Sequence, residues 1–368
     1  MSKTNSHFTH AIRSQPTMDG LQVLVFYSAV LLGSASESLQ VGKCTHPFQQ
    51  YNGGSFTSIH NIHIPKAAGV SFILDTKKFA SFSVAVVSHE NCFEEMAQAG
   101  TYATAMFRHP RGHVYSMYLQ NRASKKCHIN LPHQGKSQER GFAEWVEHFH
   151  KGLSDDGSMN ETRSFGCYHA YNLQSRAFSP LCTQRNNANV RRSKLHGSHF
   201  YSPVIQNVDT MNNHLADNMY KLNWLGLSEF YTASLCILQD LVGVPPFETC
   251  DPGNYYRGKL QRQRRQAQPK PKASSKRERR KPSKASQPSH ADHGSSPHSH
   301  LSVPDEIWEK VDDLTYFDRK LYYLAMRRFA CGVKAYEQQA NHSLEHLLPA
   351  GGWEYLYDIS DAFVKNLA

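Results

Sequence analysis

Between residues 57 and 118 three short runs with strand-like patterning alternate with stretches of helical periodicity. This alternation constrains the fold more than any other feature of the chain. Thr57-Ser-Ile-His-Asn-Ile-His-Ile64 reads as a buried strand closing on Ile62 and Ile64. Pro65-Lys-Ala-Ala-Gly-Val-Ser71 follows and runs into an apolar-periodic helix from about Val70 to Phe79. Phe82-Ser-Val-Ala-Val-Val-Ser88 is a second strand, ending at His89-Glu90. Tyr102-Ala-Thr-Ala-Met-Phe107 is a third, and after Pro110 the residues Val114, Met117 and Tyr118 fall at helical spacing. Strands and helices alternating in this way predict an α/β fold with a parallel sheet. Such sheets bind ligands at the carboxyl ends of their strands. Lys66, His89 and Arg108 each follow a predicted strand within two residues, so they are expected along one rim.

A strand, a loop of small residues with one lysine, and then a helix can offer backbone N–H groups and a helix N-terminus to a phosphate or sulfate. The Gly-Lys-Ser/Thr order of a Walker A loop is absent. On these residues alone, a phosphate loop and an ordinary βα turn both remain open.

Charge narrows the function classes. The 368 residues carry a formal +10, which suggests a polyanion partner. Between Arg257 and Lys284, however, 13 Lys and Arg face one acid, Glu278; that run holds +12 and leaves −2 for the remainder. The basicity therefore belongs to one segment. From Gln261 to about Ser302 the composition is Arg/Lys and then Ser/Pro/His with almost no apolar residues, which predicts a disordered linker. Apolar periodicity resumes at Ile307, Val311 and Leu314 and again from about Phe317 to Ala335, so the linker interrupts a fold.

At the N-terminus a polar tail, residues 1–20, precedes an apolar run within 21–36 that ends in Gly33-Ser-Ala-Ser36. The run is shorter than a usual membrane span and suits a signal peptide, a short signal anchor, or a buried element. The sequons at Asn160 and Asn341 are compatible with a lumenal body. Eight scattered cysteines show neither Cys-x-x-Cys pairs nor zinc spacing; their number allows disulfides without fixing a pairing, and buried free thiols are the alternative. The expected organisation is an α/β core over 55–256, an insertion over 257–303, and C-terminal helices over 304–368 that complete the domain.

Two motifs make the chain resemble a known family. Ile64-Pro-Lys-Ala-Ala-Gly-Val-Ser71 is similar to the 5′-phosphosulfate loop of Golgi carbohydrate sulfotransferases, usually Pro-Lys-Thr/Ala-Gly/Ala-x-Thr-Ser. Arg108-His-Pro-x-x-His-Val-x-Ser-x-Tyr118 resembles their 3′-phosphate motif, Arg-Asp-Pro-x-x-Arg-x-x-Ser-x-Tyr. Asn172-Leu-Gln-Ser-Arg176, Leu225-Gly-Leu-Ser-Glu-Phe230 and Asp318-x-x-Leu-Tyr322 resemble later stretches of the family in the same order. The resemblance implies a P-loop-like three-layer fold and transfer of a sulfuryl group from 3′-phosphoadenosine 5′-phosphosulfate (PAPS) to a glycan hydroxyl, without a metal. It further implies a Golgi membrane protein of single-pass type II topology with a lumenal catalytic domain, or a secreted one.

Residue by residue, the resemblance implies that Lys66 neutralises the leaving phosphate. Ala67, Ala68, Gly69, Val70 and Ser71 would cradle the 5′-phosphate, and Arg108 and Ser116 would hold the 3′-phosphate. His89 resembles in position the catalytic histidine of uronosyl 2-O-sulfotransferases, with Glu90 as rival base. Asn172, Gln174 and Arg176 would either touch acceptor or cofactor, or form a polar helix face packed on the site. Ala67 and Val70 stand where threonine is common, His109 replaces an aspartate and His113 an arginine. These departures leave open a member that binds the product PAP without turnover. A further alternative is a polyanion-binding protein working through 257–284; the scarcity of interleaved aromatics disfavours nucleic acid.

Overall fold

The computed structural model describes residues 44, 48–51, 56–90, 92–123, 137–154, 170–179, 182, 208–254, 303–340 and 342–366. The apolar run within 21–36, both sequon asparagines and the insertion up to residue 302 lie outside them. Four strands, β1 (Ser58–Ile62), β2 (Val86–His89), β3 (Thr101–Phe107) and β4 (Trp224–Leu227), form an all-parallel sheet in the order β2-β1-β3-β4. The flanking helices are α1 (Gly69–Thr76), α2 (Phe93–Met96), α3 (Pro110–Ala123), α4 (Gln138–His150) and α5 (Leu173–Ala177). The later ones are α6 (Val208–Lys221), α7 (Tyr231–Leu241), α8 (Asp305–Leu314), α9 (Tyr316–Ala340) and α10 (Gly352–Asn366).

The three predicted strands are present, with one displaced. β2 begins four residues later than its apolar run, because Lys77–Phe82 continues from α1 as a 3₁₀ helix and Ser83 ends it in a left-handed conformation at φ 62°. Phe82 is left facing solvent. The fourth strand, Trp-Leu-Gly-Leu, is too short to stand out by periodicity. Its Gly226 is required by packing: a Cβ there would lie 2.6 Å from Met106 Sδ and 2.8 Å from Ser234 Cβ.

Pleating sends alternate side chains to opposite faces of the sheet, and both faces are covered. On one, Phe72 of α1 stacks on Trp224 of β4 with ring centroids 5.7 Å apart. The Tyr231 hydroxyl of α7 donates to the buried Asp75 carboxylate at the far end of α1 (2.9 Å). These two contacts fix α1, and so its N-terminus, against the sheet. On the other face Phe178 is held between Phe107 of β3 and Phe93 of α2. Trp224, Trp308, Tyr322 and Tyr323 are all buried, as core residues.

The long helix α9 joins the segment after the insertion to the sheet. Its buried Arg328 donates to the carbonyls of Met219 (2.6 Å) and Leu222 (2.5 Å), satisfying the C-terminal end of α6. Gly332 lets Phe48 lie against the helix, since a Cβ would come within 2.1 Å of that ring. Disulfides join Cys44 to Cys331, Cys92 to Cys182 and Cys236 to Cys250, and no described cysteine is free. Buried free thiols therefore do not occur among the described cysteines; Cys127 and Cys167 lie outside them. Among the described residues no helix is long and apolar enough to cross a membrane.

Candidate anion site at the carboxyl rim of the sheet

The turn between β1 and α1 departs sharply from extended backbone. Lys66 (φ 66°) and Ala68 (φ 65°) both adopt the left-handed conformation, which costs a non-glycine residue roughly 1–2 kcal/mol. Strain of this kind persists where surrounding structure enforces it, often at ligand sites. Several contacts enforce it here. Ala67 N–H returns to the Ile64 carbonyl (3.2 Å), and Ala67 itself is fully buried. The His63 ring lies directly over Gly69, where a Cβ would sit 1.9 Å from its Cδ2; only glycine admits that approach.

Ala68 is the N-cap of α1, and the first helical bond runs from Phe72 N–H to the Ala68 carbonyl (2.9 Å). The N–H groups of Gly69, Val70 and Ser71 therefore precede the helical ladder, and no acidic residue occupies the first turn. Ser71 is buried, whereas Val70 is exposed beside the turn.

The start of α3 closes on this turn. Arg108 Nη1 donates to the Lys66 carbonyl (3.1 Å). His113 Nε2 donates to the Pro65 carbonyl (2.6 Å), which makes the ring an Nε2–H tautomer with a buried Nδ1 that has no described partner. The Lys66 ammonium reaches Gln120 Oε1 (3.2 Å). Gly112, Ser116 and Gln120 follow Arg108 at helical i,i+4 spacing. Gly112 lies against the Arg108 side chain, and Ser116 is buried between Gly112 and Gln120 on that line. One strip of α3 thus connects the two cations.

Burial and mutual repulsion hold the Lys66 ammonium below its usual range, burial first and the Arg108 charge second. Arg108 is lowered by burial and supported by the Glu229 carboxylate. Two positive groups are therefore held together beside a helix N-terminus, an arrangement that favours an anion with more than one charged group. His113 does not add to it. Burial pushes its imidazole down to about 3, so it is neutral over the physiological range and supplies a tether where an arginine would supply charge. His109 is likewise lowered by burial.

The sequence-derived bases lie on the neighbouring edge strand. His89 ends β2 in register with Ile62, and its carbonyl accepts the His63 N–H (2.8 Å), which ties it to the start of the turn. Its exposed imidazole shares a sheet face with His60 and helps lower the His60 pKa, after burial. Glu90 follows it, half-buried. Asn172, Gln174 and Arg176 are all buried. Gln174 brackets Arg108, accepting its N–H at Oε1 (2.9 Å) and donating from Nε2 to its carbonyl (2.8 Å). Asn172 Oδ1 accepts the N–H groups of Phe317 (3.0 Å) and Asp318 (3.2 Å), and the Arg176 guanidinium lies over the Tyr171 ring. The described bonds of Asn172 and Gln174 thus run to the start of α9 and to the backbone of Arg108.

Gln120, His63 and His113 were not singled out by sequence as loop contacts. Gln120 carried a signal, four residues beyond Ser116 on the same helix face, and His113 stood within the motif that begins at Arg108. Among the described residues no group of three or more His, Cys, Asp or Glu side chains is placed to hold a metal. Comparison with family models, with curated proteins and with solved structures finds no match.

Proposed function

We propose that the chain is a PAPS-dependent sulfotransferase of P-loop-like, three-layer architecture that moves a sulfuryl group to a carbohydrate hydroxyl. The observation that carries this reading is the joining of the two motif cations: Arg108 grips the carbonyl of Lys66 in a strained turn that opens α1. A cofactor with phosphate groups at 5′ and 3′ needs two such anion anchors at a fixed separation. In this reading the N–H groups of Gly69 to Ser71 take the 5′-phosphate, and Arg108 with Ser116 takes the 3′-phosphate.

The acceptor oxygen attacks sulfur in line as the bond from sulfur to the bridging phosphate oxygen breaks, and PAP leaves. Lys66 neutralises the charge that grows on that oxygen; such transfers are catalysed chiefly by positioning and charge stabilisation. The acceptor proton passes to His89 or to Glu90. The disulfides support an oxidising compartment, in keeping with a Golgi lumenal or secreted enzyme.

A second reading, PAP binding without turnover, is favoured by one observation: neutral His113 occupies the place of an arginine. Incubation of the full chain with ³⁵S-labelled PAPS and a panel of glycan acceptors separates the two, with a variant lacking 257–302 as a parallel sample. The proposal expects label on at least one glycan from both forms. PAP binding with no label on any acceptor gives the second reading, and absence of both PAP binding and transfer refutes both.

A further inference from the structure

The backbone at Arg108 and His109 is held on three hydrogen-bonding groups by two side chains, and each of those is itself held by α9. Gln174 accepts the Arg108 N–H and donates to the Arg108 carbonyl. Glu229 Oε1 accepts the next amide, His109 N–H (2.9 Å). Behind Gln174 stands Asp318, whose Oδ2 accepts the Gln174 N–H (3.1 Å) and whose Oδ1 accepts the Ser175 N–H (2.7 Å) and the Ser175 hydroxyl (2.8 Å). Behind Glu229 stands Tyr322, whose hydroxyl donates to Oε2 (3.2 Å). Asp318 and Tyr322 are four residues apart on α9, hence on one face, and both are buried.

The support is reciprocal, because Asn172, just before α5, caps the N–H groups of Phe317 and Asp318. Two helix starts therefore cap one another, and neither α5 nor α9 can shift without breaking the other's cap. Gln174 and Glu229 carry the constraint onward to the two residues just before α3.

We propose that Asp318 and Tyr322 are positioning residues that set the direction of the Arg108 guanidinium through Gln174 and Glu229, and so determine recognition of the cofactor's 3′-phosphate. The inference rests on the reading of Arg108 as the ligand of that phosphate. A guanidinium recognises phosphate as a planar fork, so its value depends on the angle at which its backbone presents it. The arrangement also gives the segment beyond residue 303 a share in the site, because Asp318 and Tyr322 supply both anchors.

The test compares the affinities of PAP and AMP, which differ in the 3′-phosphate, for the full-length chain and for Gln174→Ala and Tyr322→Phe. The expected result is a PAP preference in the parent chain that falls about tenfold in Gln174→Ala and about threefold in Tyr322→Phe. AMP affinity should stay within about twofold, which a general loss of structure would not produce. Hydrogen exchange at the Arg108 and His109 amides supplies a readout that needs no ligand. Tyr322→Phe removes a single oxygen, and it should accelerate His109 exchange while leaving the amides within α3 unchanged. An unchanged preference together with unchanged exchange overturns the positioning role. A parent chain that binds PAP no better than AMP, with exchange responding as described, instead overturns the assignment of Arg108 to a 3′-phosphate.

Discussion

Asp318 offers a pH-dependent test of the packing behind the site. Its carboxyl is buried and pushed up to about 6 from an ordinary 3.8. Burial is the larger cause; the bonds from Ser175 and Gln174 and the charge of Arg176 oppose it without cancelling it. In the folded chain the carboxyl thus keeps its proton through a window, about pH 4 to 6, where the unfolded chain has lost it. Folding stability contributed by this group is accordingly highest at the acid end and falls as pH rises through that window. A shift of about two units at 1.36 kcal/mol each amounts to roughly 3 kcal/mol. Asp318→Asn removes the titration. Urea unfolding of parent and variant, with disulfides kept oxidised, should be followed from pH 4 to pH 7.5. The stability of the parent relative to the variant should decline by about 2–2.5 kcal/mol over that range, the remainder having been lost below pH 4, with most of the change between pH 4 and 6. Other titrating groups cancel in the difference. A difference that is flat with pH, or that grows with pH, refutes the claim that desolvation outweighs the hydrogen bonds at Asp318.

Three further outcomes follow from close contacts. Gly69→Ala places a methyl group 1.9 Å from the His63 ring and should cost about 1–3 kcal/mol in denaturant unfolding; adding His63→Ala should recover part of that loss. His113→Leu leaves the Pro65 carbonyl without its donor and should destabilise by about 1–3 kcal/mol at pH 8; the loss should be smaller at pH 6, by somewhat under about 1 kcal/mol, because the folded ring stays neutral there while the unfolded chain takes up a proton on His113. Replacing Cys44 and Cys331 together by serine opens a link of sequence separation 287 and should cost about 2–5 kcal/mol, measured by the urea midpoint.

The parts of the fold visible in the sequence were those decided by local pattern. β3 stands out because it is paired on both sides and buried over six of its residues, which favours an apolar run, and β1, also paired on both sides, shows through its buried Ile59 and Ile62. The displacement of β2 was not visible, since Phe82 and Val84 fit an edge strand as well as the end of a 3₁₀ turn. Lys66 and Arg108 were legible as a pair through topology, because parallel strands bring their carboxyl ends to one rim. Their direct bond was not, because it depends on left-handed backbone at Lys66 and Ala68, and neither residue type signals that conformation. The roles of Asn172, Gln174 and Asp318 depend on two helix starts, more than 140 residues apart in the chain, meeting end to end. No local pattern carries that information.

The proposed function requires the two joined cations to bind the two phosphates of one nucleotide. Calorimetric titration of the full chain with PAP and with AMP measures this directly. A charge-assisted pair to the 3′-phosphate is worth about 1.5–3 kcal/mol, so PAP should bind at least about tenfold more tightly than AMP. Arg108→Ala should erase that preference, and Lys66→Ala should weaken both nucleotides alike. Equal affinity of the parent chain for PAP and AMP, or a preference that survives in Arg108→Ala, would show that Arg108 does not hold a 3′-phosphate.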